Sequence, residues 1–597
     1  MVKLLVRLLL ALASPLLSIA TLYHDVADLP DTSFDFIVIG GGTAGNVVAN
    51  RLTENPKYNV LVLEAGLSNE GVLPAIVPFL GSSLPNSLYD WNYSTTAQTG
   101  LNGRAIPYPR GCLLGGSSSI NYMVYSRGSS DDWDQYAEVT GDSGWSWDHV
   151  QQYFQKNERW SSPPDNHSTV GEYDPRVHSK SGINAVTLSG FPQGIDERLI
   201  KTTQELSEDF PFNLDINGGT PLGIGWGQST IDSHGQRSSS ATSYLGPQFI
   251  NRTNLHVLIK AQVSRLIQTA LNPPTFKSVE FIQGGTGELQ VVSATKEIIL
   301  SAGSIGSPHI LLNSGIGDRQ ALIDIGIQPI VHLPDVGQNL SDQATIGVYW
   351  EVNSTDTFDT ISRNSTLAGE VLEEWLDDRS GRFVSSVLGN ILGWVRLPLD
   401  NPVLEGKVDP APGSNSPHYE ILPLNGLAPL PLPPTGNFLS LVSALLSPLS
   451  RGSVKLSSDD PFAAPLIDPG FLNNTQDLYM MREGVKILLK LVSAPVWDNY
   501  IVGLYGPAAV LANATDVEVE EYVRELASTI FHPLGSASMS ARGAQHGVVD
   551  PDLTVKGVAG LRIVDGSVLP RPPSANPQAA VYVIAERASD FIKTAWA

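Results

Sequence analysis

The apolar run Phe34, Phe36, Ile37, Val38 and Ile39, interrupted only by Asp35, enters the cluster Gly40-Gly41-Gly42-Thr43-Ala44-Gly45. A short β-rich apolar segment that stops at glycines predicts a buried parallel strand meeting a tight turn. Ala44, Val47, Val48 and Leu52 follow at near-helical spacing and predict a helix with one apolar face. Val60-Leu61-Val62-Leu63 predicts a second strand, closed by Glu64. Residues 133–156 pattern as one or two helices, and residues 255–268 and 290–300 as strands. The second of these strands runs into Ser301-Ala302-Gly303, another strand-to-helix turn. Near the carboxyl end, Leu561-Arg562-Ile563-Val564 is an apolar strand reaching Asp565-Gly566. Residues 67–90, rich in Pro and Ser, are expected to be loop. Residues 420–436, with Pro423, Pro429, Pro431, Pro433 and Pro434, are expected to be a stiff extended loop. At 597 residues the chain exceeds one core. Strands from its start, middle and end predict one domain assembled from separated segments, with a second domain built from what lies between.

The glycine cluster has the spacing of a dinucleotide fingerprint, G-x-G-x-x-G. Gly40 permits the turn, Gly42 lets the backbone approach a pyrophosphate, and Gly45 lets the helix sit close on the strand. The helix N-terminus favours the anion. Glu64, 19 residues after Gly45, stands where a carboxylate accepts bonds from ribose hydroxyls. The fingerprint serves FAD and NAD alike.

Composition narrows the setting. Lys3 and Arg7 precede an apolar run from Leu8 to Ala13, and Ser18-Ile19-Ala20 offers small residues for cleavage, so residues 1–20 are expected to be a signal peptide and the mature chain secreted. Asn92, Asn166, Asn251, Asn339, Asn353, Asn364, Asn473 and Asn513 each head an Asn-X-Ser/Thr triplet, consistent with a secretory route. The formal charge of −23 becomes two units more negative without Lys3 and Arg7, which disfavours nucleic acid and anionic membranes as partners. Cys112 is the only cysteine, so no internal disulfide exists. No G-x-S-x-G elbow, HExxH or CxxC pattern supports a hydrolase or a metal site. A monomer is expected.

Gly111-Cys112-Leu113-Leu114-Gly115-Gly116-Ser117-Ser118-Ser119-Ile120-Asn121 resembles the first signature of the glucose–methanol–choline (GMC) oxidoreductases, and Gly303 to Gly317 resembles the second. The likeness continues through Asp90-Trp91-Asn92-Tyr93, Gly235 to Ser240, Phe531-His532-Pro533 and Val548 to Pro570, over nearly the whole mature chain. Within the family it is most similar to secreted fungal aryl-alcohol oxidases. The resemblance implies an α/β (overall α+β) fold: a Rossmann-like FAD-binding domain over residues 34–160, 225–325 and 540–597, and a substrate-binding domain on an antiparallel sheet over residues 161–224 and 326–539. It implies FAD held by Gly40, Gly42, Thr43, Ala44, Gly45, Glu64, Ala65, Gly115, Gly116, Ser117, Asn121, Val124, Val263, Asp565 and Gly566. It also implies oxidation of a primary aryl- or allyl-type alcohol by hydride transfer to flavin N5, with electrons passed to O2 or a quinone. A second implied reading is a secondary-metabolite enzyme acting on one specific hydroxyl.

His532 is the implied general base, since an imidazole of ordinary pKa ~6.5 takes an alcohol proton near neutral pH. Asn576 stands where aryl-alcohol oxidases carry a second histidine, and is assigned as an orienting donor because an amide is no base. Tyr93 and Phe531 are candidate aromatic walls. Gly426-Leu427-Ala428 stands about where the relatives place a gating aromatic, and Cys112 where they carry Arg or Lys. An NAD(P) dehydrogenase and a binding glycoprotein with a vestigial site are the competing classes.

Overall fold

The computed structural model describes residues 22–30, 33–285 and 287–597; the expected signal peptide lies outside the described residues. The Phe34–Ile39 strand is paired on both sides, parallel to Val60–Leu63 from Phe36 onward and to Gln290–Leu300. Leu255–Leu258 and Leu22–Tyr23 extend the parallel sheet on one side. The strand Gln290–Leu300 divides its length between partners. Its first half pairs antiparallel with Pro274–Gln283, and its last residues pair parallel with Leu561–Ile563, Ile298 opposite Leu561. The carboxyl-terminal strand thereby reaches the amino-terminal one, as a sheet gathered from distant segments requires. The Gly45–Leu52 helix packs against the terminal helix Gln578–Ala595 in the same core.

The second sheet is antiparallel and has seven strands. Its path runs Ile501–Leu504, Ala344–Val352, Phe438–Leu445, Tyr419–Leu424, Ile391–Val395 and Gly223–Trp226, with Ser528–Thr529 paired to Ala344–Val352. Alternation gives it two faces. Ile346, Val348, Leu439, Leu441, Tyr419 and Ile421 join Met481, Val485 and Leu488 of the Thr475–Leu491 helix in a second core. Thr345, Leu422, Leu424 and Val442 point the other way, toward the first domain.

Several expectations change in detail. Residues 420–436 are not all loop, because Tyr419–Leu424 is an interior strand. Pro423 is tolerated because the ladder to Ile391–Val395 ends at Ile421, so its missing N–H leaves no pair broken. Residues 67–90 contain a helical turn at Leu73–Ile76 and a 3-10 turn at Pro78–Ser83. Residues 133–156 form two helices, Ser130–Thr140 and Trp147–Asn157, broken at Gly141 in the left-handed region. The cores also divide the chain differently from the expected boundaries: Leu101, Ile106 and Tyr108 lie in the second, and Leu534, Ala537 and Met539 in the first. No helix among the described residues is long and apolar enough to cross a membrane. Seven of the eight sequon asparagines are exposed. Asn339 is half-buried, and its amide donates to Ser538 Oγ at 2.8 Å.

Candidate active site

Between the sheets lies a cavity of about 770 Å³. At one end the backbone itself builds the wall. A Cβ at Gly45 would stand 1.9 Å from the Gly40 carbonyl, so only glycine lets that helix begin there. A Cβ at Gly116 would stand 2.9 Å from the Gly42 Cα, and Gly116 has φ of +51°. The two glycine motifs, 74 residues apart at Gly42 and Gly116, thus touch through bare backbone, and Gly115 N–H donates to Gly41 O at 2.7 Å. This cradle, which side chains would fill, fits a dinucleotide.

Of the implied cofactor residues, Gly40, Gly42, Thr43, Ala44, Glu64, Ala65, Gly116, Ser117, Asn121, Val124, Val263, Asp565 and Gly566 line the cavity; Gly45 and Gly115 stand behind it. Glu64 accepts Gly41 N–H at 2.8 Å and Gly66 N–H at 2.7 Å, and burial pushes its carboxyl up to about 7. Four acceptor positions on a carboxylate leave room for ribose hydroxyls besides these two. Asp565 accepts from Gly303 N–H, Ser307 Oγ and Ser567 N–H, tying the last strand to the helix after the second strand-to-helix turn. Asn121 is held by Gln578 Oε1 at 2.7 Å and by the buried Arg237 at 2.8 Å. Cys112 is half-buried; burial first, then Glu64 and Asp90, push its thiol up to about 12, which makes it a packing residue rather than a reactive one.

The other end is built from side chains. His532, Asn576, Tyr93 and Phe531 all line the same cavity. Phe531 has φ of +67°, a strained conformation for a bulky residue, fixed by neighbours on both sides. Its N–H donates to Thr529 Oγ1 at 2.6 Å, and its carbonyl accepts Arg110 Nη2 at 2.6 Å. Buried Asp342 accepts His532 N–H at 2.9 Å, together with the hydroxyls of Thr529 and Tyr108. His532 Nδ1 is 2.6 Å from Gln343 Oε1. Gln343 Nε2 already donates to the Leu446 and Pro573 carbonyls, so Oε1 is the acceptor and Nδ1 carries the proton. The basic nitrogen is then Nε2. Burial first, and the Arg110 guanidinium second, hold the imidazole far below its ordinary value, at about 3.

Asn576 donates to Glu420 Oε1 at 2.7 Å; its other amide hydrogen has only Ser126 Oγ at 3.5 Å, too long for a good bond. Glu420 is fully buried on the cavity face of the second sheet, and burial pushes it up to about 7. The aromatic expected near Gly426 comes from elsewhere. A Cβ on Gly426 would stand 2.4 Å from the Phe358 ring, and Phe358 lines the cavity with Phe79. Sequence reasoning missed Arg110, Asp342, Gln343, Glu420 and Phe358. Only Glu420 left a trace, as a lone acid in the apolar run Tyr419 to Leu424.

GMC oxidoreductase family models match residues 34–345 and 448–585, and the chain belongs to that family of flavoprotein oxidoreductases. It is 42% identical over 585 residues to Dehydrogenase eriK of Hericium erinaceus, covering 96% of each chain. It is 43% identical over 593 residues to Pyranose dehydrogenase 3 of Leucoagaricus meleagris, covering 97% of this chain and 96% of that one. Among solved structures, Aspergillus oryzae formate oxidase superposes with a TM-score of 0.86 at 30% identity, over 95% of this chain and 99% of that one. A fungal aryl-alcohol oxidase superposes at 0.80 with 26% identity, over 95% of this chain and all of that one. The cofactor of this family is FAD, which the bare-backbone cradle fits.

Proposed function

We propose that the protein is a secreted oxidoreductase that converts a primary alcohol on an apolar, aryl- or allyl-type molecule into the aldehyde, with electrons passing on to O2 or a quinone. The observation that carries this is the lining of the cavity that holds His532: Leu422, Leu424, Val442, Ile530, Phe531 and Tyr93 line it together with the imidazole and the polar Asn576. Such a lining favours a flat apolar body presenting one hydroxyl. Bound FAD supplies the acceptor for the hydride that leaves the carbinol carbon. His532 Nε2 takes the hydroxyl proton, Gln343 fixes the tautomer that makes this nitrogen basic, and the free N–H of Asn576 donates to the alcohol oxygen as negative charge develops there. The exposed sequon asparagines support secretion, and deglycosylation of natively produced protein should lower its mass.

A second reading, oxidation of a sugar hydroxyl, is favoured by the likeness to pyranose dehydrogenases. Anaerobic mixing of the yellow protein with benzylic and allylic alcohols, and separately with pyranoses, distinguishes the two. Bleaching of the flavin by the first set and not the second is the expected result. The converse would replace the first reading with the second.

A further inference from the structure

The guanidinium of Arg110 differs from several enclosed arginines, although buried Arg237 likewise meets no carboxylate and is bonded instead to the Ser118 carbonyl and to Asn121. Arg127, Arg562 and Arg51 each meet a carboxylate, at 2.5 Å, 2.7 Å and 2.8 Å. Arg110 meets none. Its Nη2 goes to the Phe531 carbonyl and its Nε to the Pro109 carbonyl. The two nearby acids are occupied by other donors. Asp90 accepts the backbone N–H groups of Arg110, Asn92 and Asn86, and Asp342 those of His532 and Gln343 besides the Thr529 and Tyr108 hydroxyls. Arg110 lines the cavity with His532. An unpaired cation in this position is unfavourable for stability unless it serves the site.

We propose that Arg110 is a positioning residue for proton removal: it holds the strained Phe531 carbonyl and sets a positive charge beside His532, so that the imidazole rests neutral and ready to accept. This rests on His532 being the base. The charged and titratable groups facing the imidazole are Arg110 on the Pro109–Gly111 segment, Asp342 with Tyr108 behind it, Tyr93 across the wall, and Glu420 through Asn576. Of these, Arg110 is the one permanent cation, so its charge adds to burial in opposing a proton on His532 at every working pH. It also turns away cationic substrates and leaves neutral alcohols unaffected.

The test is the pH profile of flavin reduction in wild type, R110K, R110M, R110A and H532A, with flavin content and circular dichroism as checks. A second readout without substrate is the pH titration of the resting flavin spectrum, which the adjacent imidazole perturbs on protonation. The acid limb in R110M should rise by about one to two pH units, as for one charge removed several ångströms away in a partly shielded medium. R110K should keep the limb near the wild-type position, and millimolar guanidinium should restore it in R110A. Should R110M lose its flavin, the R110A rescue and the R110K limb decide the matter. An unmoved limb in R110M or R110A, with H532A inactive, overturns the role of Arg110 and leaves the base intact. Wild-type turnover in H532A overturns the base itself.

Discussion

The two ends of the cavity are built by opposite means. The dinucleotide cradle is backbone against backbone, its shape set by the absence of side chains at Gly45 and Gly116. The corner around His532 is side chain against side chain, with Asp342, Gln343, Glu420, Arg110 and Asn576 arriving from four separated segments. Damage at the first end should be all-or-none, because nothing can move to admit a Cβ. Damage at the second should be graded, because each group contributes one bond or one charge.

The largest effect is therefore expected at the cradle. Gly45→Val places atoms inside the Gly40 carbonyl, and the protein should be recovered colourless or unfolded. A yellow, cooperatively melting G45V would break the comparison. At the corner, Gln343→Leu should keep the flavin and lower the reduction rate by about 10²-fold, because the imidazole loses the partner that selects its tautomer. Stopped-flow absorbance reads both quantities. Glu420→Leu leaves one Asn576 N–H without its buried acceptor, a loss of about 1–3 kcal/mol, so kcat/KM should fall about tenfold or more with flavin content unchanged. An unchanged kcat/KM would show that Asn576 needs no anchor.

The smallest effect tests a region remote from both ends. Buried His178 sits 2.6 Å from Glu158 and 2.8 Å from Asp215. Burial lowers its pKa, but hydrogen bonds to Asp215 and Glu158 outweigh this and leave it raised. Those of the two acids are lowered by their histidine and arginine partners against burial. A raised histidine contributes stability that is fully present below its unfolded value of ~6.5 and is lost as pH rises through its folded value. Lowered acids contribute above ~4 and lose it as pH falls. The cluster should therefore stabilise most from mildly acidic pH up to the folded value of His178. H178Q should lower Tm there and converge on wild type at alkaline pH, as followed by thermal melts across pH.

The same contrast explains what was legible in the sequence. The cradle is a local motif whose spacing carries its own meaning, and the strands at Phe34–Ile39, Val60–Leu63 and Leu561–Ile563 announce themselves as apolar runs closed by an acid or a glycine turn. His532 was legible through its resemblance and its apolar setting. Gln343 was not, because a glutamine before a strand looks like any other until the fold brings it 2.6 Å from an imidazole 189 residues later. Phe358 was hidden for a related reason. It fills space left by Gly426, and the absence of a side chain at one position says nothing about which distant ring replaces it. Pro423 misdirected the reading of its own strand, because proline disfavours a ladder only where a ladder continues.

The central claim is that His532 Nε2 removes the hydroxyl proton of an apolar alcohol inside this cavity. Its most direct test is anaerobic stopped-flow reduction of the flavin in wild type and His532→Ala by a benzylic alcohol and its α-deuterated form. The account predicts rapid bleaching with a primary isotope effect in wild type, and bleaching slowed by about 10²–10⁴-fold in the variant at equal flavin content. Reduction of the variant at the wild-type rate would contradict it.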